Sequence, residues 1–204
     1  ITEIAQRKTV LYDKKGDIHY DIISAFIKSI RGSDPNAAVY YSARMIEGGE
    51  DVKFIARRLV ILASEDIGNA NPTALVLATS AFQAINLIGY PEAEIILAQY
   101  VTYLAVSLKS KAGNKAIKNA KSKVLETGDL QVPMQIRDAP TKIMRDKGYG
   151  KEYEYAHDYV GNFVDIEFLP DQLSGIKFYD PAKNPREEEI RKRLKAMWKG
   201  KYDY

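Results

Sequence analysis

The chain of 204 residues has no cysteine. That excludes disulfides, a thiol nucleophile and cysteine-ligated metal sites. Its two histidines, His19 and His157, are too few for a histidine-rich metal site. No GxxxxGK(S/T) phosphate loop is present. Gly148-Tyr149-Gly150-Lys151 has half of that pattern, but lacks a buried strand before it and a Ser or Thr after it, so it reads as a turn. Neither sign of charge is in large excess: 30 Lys and Arg face 27 Asp and Glu, a net +3 too weak by itself to imply a polyanionic partner. The chain opens ITEIAQRKTV, with neither an initiator Met nor a signal-peptide core. The expectation is a piece of a longer cytoplasmic protein whose chemistry lies elsewhere.

What the chain does have is a charge-free run, residues 67–91, within a sequence that is 28% charged. Its inner part reads as a helix, with Asn71 as cap, Pro72 in the first turn and Gly89 closing the end. Leu75, Ala78, Phe82, Ile85 and Ile88 recur at helical spacing, and Leu77, Ala81 and Ala84 cover much of the rest. Such a helix belongs in an interior or under another subunit. It is shorter than the roughly 20 apolar residues a membrane span needs and carries several polar ones. No membrane association is expected.

Other helices are legible around it. Ile18, Ile22, Ile23, Phe26, Ile27 and Ile30 share a helical period that Gly32 ends. Asp34 caps a second helix with Pro35 in its first turn, running to Gly48-Gly49. A third carries Ile55, Leu59, Leu62, Ala63 and Ile67 and stops at Gly68. A fifth starts at Pro91 and is expected to bury Ile95, Ile96, Ala98, Val101 and Leu104, packing antiparallel to the fourth because the link is so short. After residue 126 glycine, proline and tyrosine become frequent. One short helix fits Pro140 to Lys147, and aromatic rings would dock the remainder without regular structure. The end is strongly signalled: Asn184 caps, Pro185 follows, and Glu187 stands at the capping-box position. Glu187–Arg191, Glu188–Lys192 and Glu189–Arg193 are at ion-pair spacing, and Ile190, Leu194, Met197 and Trp198 form an apolar stripe. The predicted class is all-α, a multi-helix bundle followed by a Tyr-rich irregular segment. Residues 1–16 read as a linker, 17–183 as the helical domain and 184–204 as a terminal amphipathic helix.

Two surfaces and two acid–base patterns are candidates for function. From Lys109 to Lys123 there are six lysines and no acid. Lys111, Lys115, Lys118 and Lys121 would form one stripe, with Ala116, Ala120 and Val124 opposite. The stripe is either a phosphate-binding face or a solvated helix face. His157 beside Asp158 could be half of a catalytic pair, but no nucleophile elbow accompanies it, and packing or a surface hydrogen bond explains it as well. Glu65 and Asp66 are adjacent, so on a helix they point about 100° apart and form no acid pair. A basic neighbour near the end of their helix is the expected partner.

Four long strings carry a resemblance: HYDIISAFIKSIRGSDPNAAVYYSARMIEGGED (residues 19–51), ARRLVILASEDIG (56–68), RDAPTKIMRDKGYGKEYEYAHD (137–158) and FLPDQLSGIKFYDP (168–181). In this order they resemble the C-terminal half of the RarA/MgsA family of AAA+ replication-associated recombination ATPases, relatives of clamp loaders and of the Werner helicase-interacting protein. Asn36 and the stretch around Lys109 depart from the family pattern. The resemblance implies a domain similar to clamp-loader collars that assembles its parent into a homotetramer. The parent would be a DNA-stimulated ATPase of the bacterial cytoplasm and nucleoid, active in fork maintenance, recombination and repair. Single-stranded-DNA-binding protein is an implied partner. ATP and Mg2+ would bind in an upstream domain, and no catalytic, cofactor or metal residue is assigned in these residues. Ala74, Ala78, Ala81 and Phe82 are the candidate oligomer-interface residues; of the two possible covers for this charge-free helix, the helix starting at Pro91 is expected to dominate over a neighbouring subunit.

Overall fold

The computed structural model describes residues 17–204, so the expected linker at 1–16 lies outside the described residues. Among the described residues there are eight α-helices and no strand: α1 (Asp17–Arg31), α2 (Pro35–Glu47), α3 (Val52–Leu62), α4 (Thr73–Ile88), α5 (Ala93–Val106), α6 (Ala112–Thr127), α7 (Lys142–Asp146) and α8 (Pro185–Trp198). The all-α class is as the sequence implied. The chain divides into two compact units, one ending at Asn114 and the other beginning at Lys115. The division thus falls in the first turn of α6, and α8 belongs to the second unit. No described helix is long and apolar enough to cross a membrane.

The first unit is built on α1 to α5. Ile22, Phe26 and Ile30 of α1, Ala38 and Met45 of α2, and Ile55, Leu59 and Leu62 of α3 are buried in one core with Ala93, Leu97, Val101 and Leu104 of α5. α5 packs against α1, α2, α3 and α4, which makes it the central helix. The inward positions of α5 differ from those expected: Ile95 is 73% exposed and Leu97 takes the core position instead. The i, i+4, i+8 row that reaches the core is Ala93, Leu97, Val101 and Ala105. α2 is capped as expected, the Asp34 carboxylate accepting from the backbone N–H of Ala37 at 2.9 Å. Asn71 is not a cap. Its side-chain amide donates to the Tyr103 hydroxyl at 2.7 Å, and Pro72 precedes α4 without a side-chain cap. Gly89 does end α4 at positive φ (73°), a conformation that an L side chain adopts only with strain.

α3 does not continue as a regular helix to Gly68. After Leu62 it widens into a π-type turn over Ala63–Ile67 and then tightens over Gly68–Ala70. Wide turns of this sort occur frequently at functional or strained positions. Here the widened turn carries Asp66 into the interior.

The second unit is mostly irregular chain held by rings and by one buried carboxylate. Trp198 of α8 meets Phe163 edge-on at 4.9 Å between centroids and Tyr202 at 5.3 Å, and the Lys201 ammonium lies 4.5 Å from its centroid. α7 occupies Lys142–Asp146, capped by Thr141, inside the expected range. The Asn184 side-chain oxygen Oδ1 accepts from the N–H of Glu187 at 3.0 Å. Glu187 does not reach back to the backbone of its cap, as a capping box would. Its carboxylate, fully buried, accepts from the Asn184 amide at 2.6 Å and from the Tyr179 hydroxyl at 3.2 Å. Arg191 accordingly pairs with Asp180 at 2.9 Å rather than with Glu187. Asn184→Ala removes a cap worth about 1 kcal/mol and one donor to a buried carboxylate worth about 1–3 kcal/mol. A loss of about 2–4 kcal/mol is expected in urea unfolding followed by Trp198 fluorescence, while Asn184→Asp, which restores the cap but adds a like charge beside Glu187, recovers only part.

Candidate interaction surfaces

The strongest electrostatic feature of the first unit is one that periodicity did not reveal. Asp66 is 1% exposed. Its two carboxylate oxygens accept from Arg31 Nε at 2.9 Å and Arg31 Nη2 at 3.1 Å, a two-pronged contact of the kind a guanidinium fork favours. Lys111 Nζ lies 3.2 Å from the same carboxylate. The Asp66 backbone oxygen also accepts from Ser110 N at 2.8 Å. Close approach here needs Gly68: a Cβ at that position would meet the Ser110 oxygen at 3.0 Å, and its φ is already positive. Next to this clamp, Lys109 Nζ donates to the oxygens of Ala105 and Ser107 near the C-terminus of α5 and to the Ser33 hydroxyl. Three points in the sequence, the end of α1, the wide turn after α3 and the chain entering α6, are therefore joined at one carboxylate.

This changes the reading of the lysine run. Lys111 lies before α6, not on it, and its ammonium is committed to Asp66. It is withdrawn from the candidate stripe because an internal carboxylate already neutralises it. Lys115, Lys118 and Lys121 are exposed on α6, and among the described residues none of them makes a salt bridge. Lys123 is paired with Glu126 at 2.7 Å. Only Ala112 of α6 is buried, and Ile117, Val124 and Leu125 are exposed along with the lysines. The face expected to be its buried side is thus only partly covered.

The alanines proposed for an oligomer interface point inward. Ala74, Ala78 and Ala81 are 0%, 2% and 5% exposed, and Phe82 is half-buried against the core. Their small side chains let α4 lie close against α3 and α5, so their own chain already covers them. The other side of α4 is open: Val76 is 64% and Leu87 85% exposed. His157 is exposed, its ring 5.1 Å from that of Tyr155, a surface packing contact. Among the described residues no group of three His, Cys, Asp or Glu could hold a metal ion.

The Asp66 clamp has a pH signature. Burial pushes the carboxyl up, but hydrogen bonds from Arg31 and Lys111 and their charges outweigh it and hold it below the ordinary carboxylate range. A depressed folded-state value means its stabilisation is complete above the unfolded value of about 3.9 and is lost as pH falls through the lower folded value. The contribution of Asp66 to stability is therefore expected to be flat above about pH 5 and to decline below about pH 4. Arg31 and Lys111 are 40% and 44% exposed, so Asp66→Ala leaves cations that water can reach. Its cost is expected to be about 2–3 kcal/mol at neutral pH, below the 3–5 kcal/mol of a fully buried pair. Thermal unfolding of wild type and variant from pH 3 to 7 checks this; the gap between them narrows at the acid end.

Comparison with known proteins agrees with this architecture. A family described as MgsA AAA+ ATPase C terminal matches residues 32–198, and one described as AAA C-terminal domain matches residues 1–31. The replication-associated recombination protein A of Coxiella burnetii is 45% identical over 90% of this chain and 42% of its own length. That of Escherichia coli K12 is 42% identical over 95% of this chain and 44% of its own. The ATPase WRNIP1 of Dictyostelium discoideum is 40% identical over 87% of this chain and 20% of its own. The chain spans less than half the length of these relatives. With four-fifths of its residues matched in order, it belongs to the MgsA AAA+ ATPase C-terminal family.

Proposed function

We propose that this chain is the non-catalytic C-terminal self-assembly domain of a RarA-like AAA+ ATPase, and that it forms a homotetramer. The observation that carries the reading is the open side of α4, where large aliphatic side chains stand in solvent without a charged residue among them. A soluble domain rarely leaves such a surface bare without a partner to cover it. Nothing in the 204 residues supplies a phosphate loop, so ATP and Mg2+ would act in the part of such a protein that this chain does not span. The names of the relatives place them in replication-associated recombination, and the parent would act on DNA there, at stalled forks and gaps. Single-stranded-DNA-binding protein would be a partner of that parent, in the bacterial cytoplasm. Multi-angle light scattering at tens of micromolar tests the assembly directly. A mass near four times 23.0 kDa is expected, and a strict monomer would overturn the reading.

A second reading rests on α6, where Lys115, Lys118 and Lys121 are exposed and free of acidic partners. These three could lie along a phosphate backbone, and four copies in a tetramer would multiply the charge. Lys115→Glu/Lys118→Glu is expected to reduce binding of single-stranded DNA by about tenfold or more at low salt and to lower the salt dependence. Unchanged binding by that variant would remove DNA recognition from this helix.

A further inference from the structure

We infer that a cleft in the second unit, between the chain around Arg137 and the turn at Gly148–Gly150, is a nucleotide site. It takes a phosphate on Arg137 and Arg145 and a planar base against Tyr153 and Phe168. The inference depends neither on self-assembly nor on the α6 lysines, since it uses residues that neither reading involves. The cleft has a volume of about 560 Å³, of the order of other small-molecule sites. Two backbone contacts build it. The Gly150 N–H donates to the Met134 oxygen at 3.0 Å, and a Cβ on Gly150 would meet the Arg137 oxygen at 3.0 Å. Gly150 also stands at a φ of 66°, so glycine is what lets the two segments lie this close. Their approach sets the Arg137 guanidinium over the Tyr149 ring, 5.1 Å from its centroid.

Both arginines are fixed in place without being neutralised. Arg137 Nε donates to the Val132 oxygen at 2.6 Å and its Nη2 to Gln131 Oε1 at 3.3 Å, while Arg145 Nη1 donates to the Ala139 oxygen at 3.1 Å. These acceptors carry no charge, and among the described residues neither arginine makes a salt bridge. A guanidinium has five N–H donors, so each keeps donors for an anion with several oxygens, which a phosphate supplies. Tyr153 and Phe168 line the same cleft and leave about half of their surface open. Open rings beside cations suit the stacking of a base. Asp138, also on the cleft, favours a nucleotide over an acidic peptide. Its carboxylate repels a run of carboxylates but accepts from an exocyclic amine or a sugar hydroxyl. Among the described residues there is also no strand whose edge a peptide could extend. Residues 137–151 hold five cations against two acids, and Lys142, Lys147 and Lys151 are exposed. The same chemistry is offered by a free nucleoside monophosphate and by one nucleotide of a single strand.

The experiment is titration calorimetry on the full chain with deoxyadenosine monophosphate, inorganic phosphate and a short oligodeoxyadenylate. Wild type is compared with Arg145→Gln, Tyr153→Leu and Lys115→Glu/Lys118→Glu, each checked for helix content by circular dichroism. The monophosphate is expected to bind more tightly than phosphate alone. Arg145→Gln and Tyr153→Leu are each expected to weaken it by about tenfold, and the α6 variant to leave it unchanged. An oligonucleotide that binds more tightly than the monophosphate assigns the site to a strand, and equal affinity assigns it to the free nucleotide. Should Arg145→Gln loosen the turn at Ala139, Tyr153→Leu decides, since it alters a half-exposed ring. Four results would overturn the inference: no binding of either nucleotide ligand, phosphate binding as tightly as the monophosphate, affinities that both cleft variants leave intact, or an acidic peptide that binds where neither nucleotide ligand does. An α6 variant that loses the oligonucleotide but keeps the monophosphate supports both sites separately.

Discussion

One carboxylate holds the first unit in register. Asp66, removed from water by the π-type turn after α3, needs cations, and it finds the Arg31 guanidinium and the Lys111 ammonium. Neither partner is local in sequence, so the contact can form only when α1, the α3 turn and the segment before α6 have reached their final places. A buried charge with one partner missing is far more costly than an apolar residue in the same place, which makes this contact a criterion for the correct arrangement as much as a source of stability. Gly68 and Ser110 are constrained by the same meeting, since the backbone of one passes against the oxygen of the other.

Around that point the packing is ordinary and the exceptions are informative. α5 is central and its inward row is filled by Ala93, Leu97, Val101, Leu104 and Ala105. α4 leans on it through alanines, and Leu75, Val76, Leu87 and Ile88 of α4 stay exposed. A helix that carries no charge on any side and has only one side covered is the physical basis for proposing assembly. The second unit relies on different means. Rings stacked on Trp198 and the buried Glu187 carboxylate, held by Asn184 and Tyr179, tie irregular chain to α8 where few aliphatic residues are at hand.

Helix positions were legible because their signals are local. Asp34 before Pro35, the glycines after α1 and α4, and Asn184 before Pro185 mark ends by the hydrogen bonds and dihedral angles those residues permit. The long strings at 19–51, 56–68, 137–158 and 168–181 likewise identified the family. The inward face of α5 was misread at Ile95, because periodicity alone does not say which of several apolar rows on a nearly all-apolar helix meets the core. For Ala74, Ala78 and Ala81 the next helix and a neighbouring subunit were both open as cover, and their own chain buries them, since small residues mark where two helices come close. A basic partner for Asp66 was expected near the end of its helix, but the clamp that Arg31 and Lys111 form was out of reach for a different reason. It depends on a break in helical regularity at Ala63–Ile67 and on partners far along the chain, and neither leaves a periodic trace. Lys111 was grouped with its neighbours by spacing, whereas its position before the helix start gives it to Asp66.

The central claim is that the outer side of α4 is covered in solution by another copy of the chain. Methyl resonances of Leu87, recorded at tens of micromolar with a soluble paramagnetic agent, report on this most directly. The account predicts that Leu87 is shielded from the agent although it is 85% exposed in the single chain, and that dilution below the dissociation range restores the broadening. Broadening of Leu87 as strong as that of the open Leu125, at every concentration, would contradict it.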